Sequence, residues 1–127
     1  MRLHPSMLWI VILVLSAGTV CIAGDGHEEV FKGEISDSQC ALNVHSTTRS
    51  HEEMLKTKTM GSTNADCVRI CVKNLGGVYV LQAKDKVYKL DNQWLAGKSP
   101  AQKVKVTGVL DPKTNVIAVK SIEPLEE

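Results

Sequence analysis

Lys103-Val104-Lys105-Val106-Thr107-Gly108-Val109-Leu110, followed by Asp111-Pro112-Lys113-Thr114-Asn115 and then by Val116, Ile117, Val119 and Ile122, is the stretch from which the fold can be read. It opens in strict alternation, lysines to one side and valines to the other, which is the period of a half-buried strand. The five residues that follow carry turn chemistry. Pro112 suits the second position of a turn, and Asn115 tolerates positive φ. Residues 103–110 and 116–122 are therefore predicted to pair as a hairpin.

Working back from that hairpin, residues 78–82 and 86–90 read as two strands joined across Ala83-Lys84-Asp85. Residues 94–100 read as a connection broken by Gly97 and Pro100. Lys84, Lys86, Lys89, Lys103 and Lys105 read as a solvated sheet face that discourages edge pairing. Earlier still, Val30, Phe31 and Ile35 mark a first strand, with Gly33 predicting a bulge or tight bend. Ser36-Asp37-Ser38 is expected to end that strand, because such side chains bond their own backbone. A loop is expected over residues 42–48.

Two helices are predicted before the second strand. Ser50 and Glu53 form a capping box for a short helix ending near Lys58, and Met60-Gly61-Ser62 breaks it. Thr63 and Asp66 repeat the box for a helix over about 64–75, stopped by Gly76-Gly77. Val68, Cys71, Val72 and Leu75 follow the spacing of a buried stripe, and Cys67 flanks it one turn before Cys71. Five short strands with glycine at a bend give the fold class: mainly β, a small five-stranded OB-like Greek-key barrel. Its two short helices would be inserted between strands 1 and 2, where the usual OB order has a helix between strands 3 and 4.

The N-terminus has the layout of a secretory leader. Arg2 precedes an unbroken apolar run over residues 7–15, small residues follow, and Ala23 suits cleavage. The expected division is a cleaved signal peptide at 1–23, a flexible lead-in at 24–29, one OB-like domain at 30–123 and a tail at 124–127. The expected destination is the periplasm or the extracellular space. Lipid anchoring at Cys21 ranks second, because Val20 stands where such signals want a smaller residue. Without the leader, Lys/Arg and Asp/Glu are equal in number, so nothing attracts nucleic acid or an anionic surface. The aromatics left are Phe31, Tyr79, Tyr88 and Trp94, too few for a base-stacking platform. No membrane insertion is expected after cleavage.

Three cysteines remain. Cys40, His45, Cys67 and Cys71 make a three-sulfur, one-nitrogen set suited to zinc or copper, with Asp37 and His51 as spare ligands. Cys67 and Cys71 share one helix face, and the helix start is expected to lower the Cys67 pKa. The spacing is not that of a zinc ribbon. The competing expectation, placed first, is a structural disulfide from Cys40 to Cys67 or Cys71, common in exported domains of this size. A Cys67–Cys71 bond fits disulfide geometry poorly. Met54 and Met60 read as packing residues. No enzyme signature stands out: Ser38 lacks a nucleophile elbow, and Cys-x3-Cys is not a disulfide-oxidoreductase motif.

At these positions the chain resembles a family of small exported bacterial proteins of acidobacterial type, known as a domain of unknown function. The matching residues are Gly33, Ile35, Asp37, Ser38, Cys40, His45, Cys67, Cys71, Val72, Gly77, Tyr79, Val80 and Leu81, with Val104, Val106 and Gly108 in part. The resemblance implies an exported OB-like domain in which the Asp, Cys, His, Cys, Cys set recurs, and it carries no substrate. The function expected is a non-catalytic binding module, disulfide-stabilised, whose ligand is a protein or cell-envelope component. The alternative is a periplasmic zinc or copper protein with a Cys3His site. A thiol-redox enzyme in which Cys67 attacks ranks last, since no general base is evident.

Overall fold

The computed structural model describes residues 26–42, 51–56 and 58–126; of residues 51–53 it describes the backbone alone. The expected leader, Cys21, His45 and the capping residue Ser50 lie outside the described residues. Among the described residues, five strands and four helices follow in order: β1 (Glu28–Asp37), α1 (Ser38–Ala41), α2 (His51–Lys56), α3 (Asn64–Asn74), β2 (Tyr79–Gln82), β3 (Val87–Leu90), α4 (Gln93–Ala96), β4 (Lys103–Asp111) and β5 (Val116–Pro124). The protein is mainly β. Its strands make one mixed sheet, in the order β1-β2-β3-β5-β4, that closes in a ring where β4 returns to β1. No described helix is long and apolar enough to cross a membrane.

The ring closes because β1 serves two neighbours. Its first part, Glu28 to Glu34, pairs antiparallel with β4, and Glu34 to Asp37 pairs antiparallel with β2. At the handover stands Gly33, where a Cβ would lie 2.5 Å from the Gln82 carbonyl oxygen, so only glycine admits β2 so close. Of the bulge or tight bend expected there, a bulge is found instead on the neighbouring β4–β5 pair. The β4–β5 register steps past Lys120 at Thr107/Gly108, and a Cβ at Gly108 would meet the Ala118 oxygen at 2.3 Å. Both glycines mark close backbone approach.

Alternation on β4 places Val104 and Val106 in the core as expected, with Phe31, Ile35, Tyr79, Leu81, Leu90, Ala96 and Ile117. Val68 of α3 joins this cluster and packs the helix on the sheet. The Thr63 capping box is formed: Thr63 Oγ1 accepts from the Asp66 N–H, and Asp66 Oδ2 accepts from the Ser62 and Thr63 N–H groups. These bonds hold the exposed Asp66 carboxyl below its ordinary pKa, the Thr63 hydroxyl first among them.

Three local expectations are corrected. Ser36 and Asp37 do not break β1, because the ladder to Val80 and Tyr79 carries the strand through them. Leu75 is exposed, not part of the stripe, because the helix ends at Asn74 and Leu75 is already its cap. The connection after β3 contains α4, a single turn started by Asn92, whose Oδ1 accepts from the Leu95 N–H. One turn is too short to show a hydrophobic period.

The weakest seam of the ring is the parallel pair β3–β5, with only Lys89↔Val116 and Leu90↔Ile117 in register. Side chains reinforce it. Asn115, at φ 58, donates from Nδ2 to the Val87 carbonyl at 2.7 Å, and Asp91 Oδ1 accepts from the Val119 N–H at 2.8 Å. Asn115→Gly keeps the backbone and loses the hydrogen bond, so it should cost about 1 kcal/mol. Asn115→Ala loses the same bond and, unlike the glycine variant, keeps a Cβ at positive φ without the polar side chain that lets Asn tolerate it, so it should cost roughly 1 kcal/mol more. Denaturant midpoints measure both, and the reverse ranking would remove Asn115 as the clasp of this seam.

Candidate metal centre

The site begins with the carboxylate at the end of β1. Asp37 is fully buried, and its backbone is extended at φ −107, ψ 155. Asp37 Oδ1 accepts from the Gln39 N–H at 3.0 Å and the Cys40 N–H at 2.9 Å, a helix N-cap. This turns the chain from strand into α1 and sets Cys40 in its only turn. Three more bonds fasten α1 to the segment that links α3 with β2. The Ser38 N–H donates to the Val78 carbonyl, Ser38 Oγ accepts from the Val78 N–H, and the Gln39 amide donates to the Leu75 carbonyl.

Cys40 is thereby pressed against α3, on which Cys67 and Cys71 sit one turn apart with no exposed surface. The expectation that both sulfurs face inward holds. The three Sγ atoms all lie within 4.8 Å of one another, and the three residues are free thiols, so the expected disulfide is not formed. Met54 and Met60 are buried over the cysteines, with Leu55 and Ile70 at the edge, forming a second apolar cluster apart from the ring core. As expected, the methionines are packing residues. The sequence did not reveal that cysteines are what they pack on.

Asp37 belongs to the same group. Its charge acts on all three thiols and holds them toward the protonated form. Burial, then the Asp37 charge, pushes Cys40 far above the ordinary thiol range and Cys71 up to about 12. Burial likewise raises Cys67, so the lowered pKa expected from the helix start is overturned. Desolvation of a thiolate inside an apolar cluster outweighs a helix terminus. The metal-free site holds protonated thiols.

Of the residues proposed from sequence, Cys40, Cys67, Cys71 and Asp37 come together here. The His45 and His51 side chains lie outside the described residues. What the sequence reading missed is the rank of Asp37, taken there as a strand breaker and spare ligand. The signal was present in Asp37-Ser38-Gln39-Cys40, where an N-cap aspartate three residues before a cysteine anchors that cysteine's own N–H.

A family described as "Protein of unknown function (DUF5818)" has a model that matches residues 72–125. The match agrees with the resemblance to a domain of unknown function. It begins just past Cys71, covers β2 to β5, and leaves the sulfurs and Asp37 outside it. No curated protein and no solved structure matches the chain.

The raised thiols give the reduced, metal-free protein a pH signature. An unfolded chain loses thiol protons near 9.0, before the folded one does. The thiol contribution to stability is therefore intact below about pH 9 and lost as pH rises toward 12. Denaturant midpoints of the native chain and of Cys71→Ala should converge over that window. A difference independent of pH would show that the buried thiols ionise normally.

Proposed function

We propose that this is an exported, non-catalytic module that holds one soft or borderline ion, zinc(II) or copper(I), through Cys40, Cys67 and Cys71. One observation carries the reading: three cysteine sulfurs from two separate elements converge within 4.8 Å at an apolar cluster, two of them buried and Cys40 partly so. Three thiolates at that spacing suit zinc and copper(I) alike. An ion there would cross-link α1 to α3, the staple that a domain of this size gains most from. Catalysis by a thiolate is disfavoured, since a reactive cysteine needs a lowered pKa and these are raised.

The ring order, the parallel β3–β5 pair and α4 between β3 and β4 support an OB-like Greek-key assignment for the scaffold. Export by the leader at 1–23, kinship to the acidobacterial-type family, and a protein or cell-envelope partner belong to the same proposal and rest on the sequence. A second reading is favoured by the same convergence: a strong oxidant would join Cys40 to Cys67 or Cys71 and leave one thiol over.

Native and denaturing intact mass, on protein exported by its host and never reduced, decides between them. The expected result is one ion retained in the native spectrum and three reduced thiols in the denatured one. A chelator that strips the ion should lower the melting temperature. A mass short by two hydrogens, with no ion, would overturn the metal reading in favour of the disulfide.

A further inference from the structure

We infer that Cys40 is the sulfur through which the ion enters and leaves, so that the site exchanges its ion with thiol carriers and does not bury it for good. The inference rests on the metal reading above and adds the route and the exchange partner. The three sulfurs converge within 4.8 Å, yet they are not equivalent. Cys67 and Cys71 have no exposed surface, whereas Cys40 is partly exposed. The elements that carry them differ in the same sense. α3 starts from the Thr63 capping box, buries Cys67, Val68 and Cys71, and is seated on the ring core by Val68. α1 is one turn of four residues, none of them buried, and its cap Leu42 is exposed.

The remaining walls of the cluster are buried Met54 and Met60, with Leu55 and Ile70 packed against them. An ion arriving over those side chains would have to part a close-packed apolar layer. From the α1 side it meets a sulfur that already touches solvent. Exchange there is a ligand substitution. A carrier presents the ion as its thiolate complex. The Cys40 S–H proton leaves to solvent, a Cys40–metal bond forms, one carrier–metal bond breaks, and the freed carrier thiolate takes up a proton. Cys67 and Cys71 displace the carrier's other sulfurs in the same way, each losing its own proton. The ion keeps its charge and no electron is transferred. Release is the reverse, with Cys40 the last sulfur to let go. The partner is a thiol because soft thiolates are the ligands that compete with thiolates for zinc or copper(I).

The test follows capture and release by stopped flow on the reduced mature chain, with zinc and copper(I) each supplied as its glutathione complex. Weakening a binding site ordinarily shows in release, while capture changes little. Cys67→Ala and Cys71→Ala should therefore release the ion faster and capture it at the native rate. Cys40→Ser should instead capture it about tenfold more slowly or worse. Circular dichroism verifies that each variant is folded. A neutral maleimide reads the same asymmetry without any substitution: on the native metal-free chain Cys40 should be labelled first, and loading should protect it. Capture at the native rate by Cys40→Ser, an equal fall in capture for all three variants, or labelling of Cys67 or Cys71 ahead of Cys40 would each overturn the inference. In any of those cases, one ion held by the native chain would leave the three-cysteine reading standing. Uptake of neither ion by the native chain would overturn inference and reading together.

Discussion

The two hydrogen bonds from the Gln39 and Cys40 N–H groups to Asp37 Oδ1 are the contact on which the arrangement of this protein turns. β1 runs the whole length of the ring and pairs with β4 and then with β2. At its last residue the chain must leave the sheet without stranding the amides of a helix start. A buried carboxylate solves both problems, since it stands at the last ladder position of β1 and its Oδ1 caps the first amides of α1. Because the same residue ends the strand and starts the helix, the position of Cys40 is tied to the register of the sheet. Ser38 and Gln39 then lock the turn to Val78 and Leu75. The cluster is thus referenced to the ring from two directions, through β1 and through β2.

That placement has an electrostatic cost. Burying three thiols beside a carboxylate is tolerable while the thiols stay protonated, and the direction of their pKa shifts says they do. It is a poor arrangement for a nucleophile, which needs a stabilised thiolate. For a cation the balance reverses. The charge that disfavours ionisation in the metal-free state attracts an ion once it arrives, and a low-dielectric surround strengthens that attraction. Loading of the proposed site would therefore be coupled to proton release, with affinity rising with pH. The apolar cover of Met54 and Met60 acts in the same sense by excluding water from the sulfurs.

How much of this was legible in the sequence follows from the length of each signal. The β4–β5 hairpin was readable because alternation over Lys103 to Val106 and the turn at Asn115 agree, and φ 58 at Asn115 bears that out. α3 was readable from Thr63 and Asp66 at its start and the glycines after its end. The one-turn helices α1 and α4 were not, because four residues carry no period. Leu75 misled for a related reason: a stripe counted by spacing assumes that the helix reaches its last member. The parallel β3–β5 seam was invisible, since it joins Leu90 to Ile117 with no local cue. At the site, the inward direction of Cys67 and Cys71 could be derived from helix spacing. The convergence of Cys40 on them, and the burial of Asp37 at the end of β1, depend on a sheet register that no local pattern specifies.

The division of the chain sharpens what the site is. The family match at residues 72–125 takes in four of the five strands and stops short of every sulfur. The cysteines lie on the connection from β1 to β2, outside the ring core, in an apolar cluster of their own. A ring of strands can close without that cluster, because its interior is filled by Ile35, Leu81, Val104, Val106 and Ile117. From α3, Val68 is buried in it and Val72 packs against it. The sulfurs are therefore better understood as chemistry carried on the scaffold than as part of what folds it. On that view Val68 and Val72 have a particular role: they are the apolar contacts by which ordering of the cysteine cluster is felt in the ring, and by which the ring holds α3 at the distance the three sulfurs require.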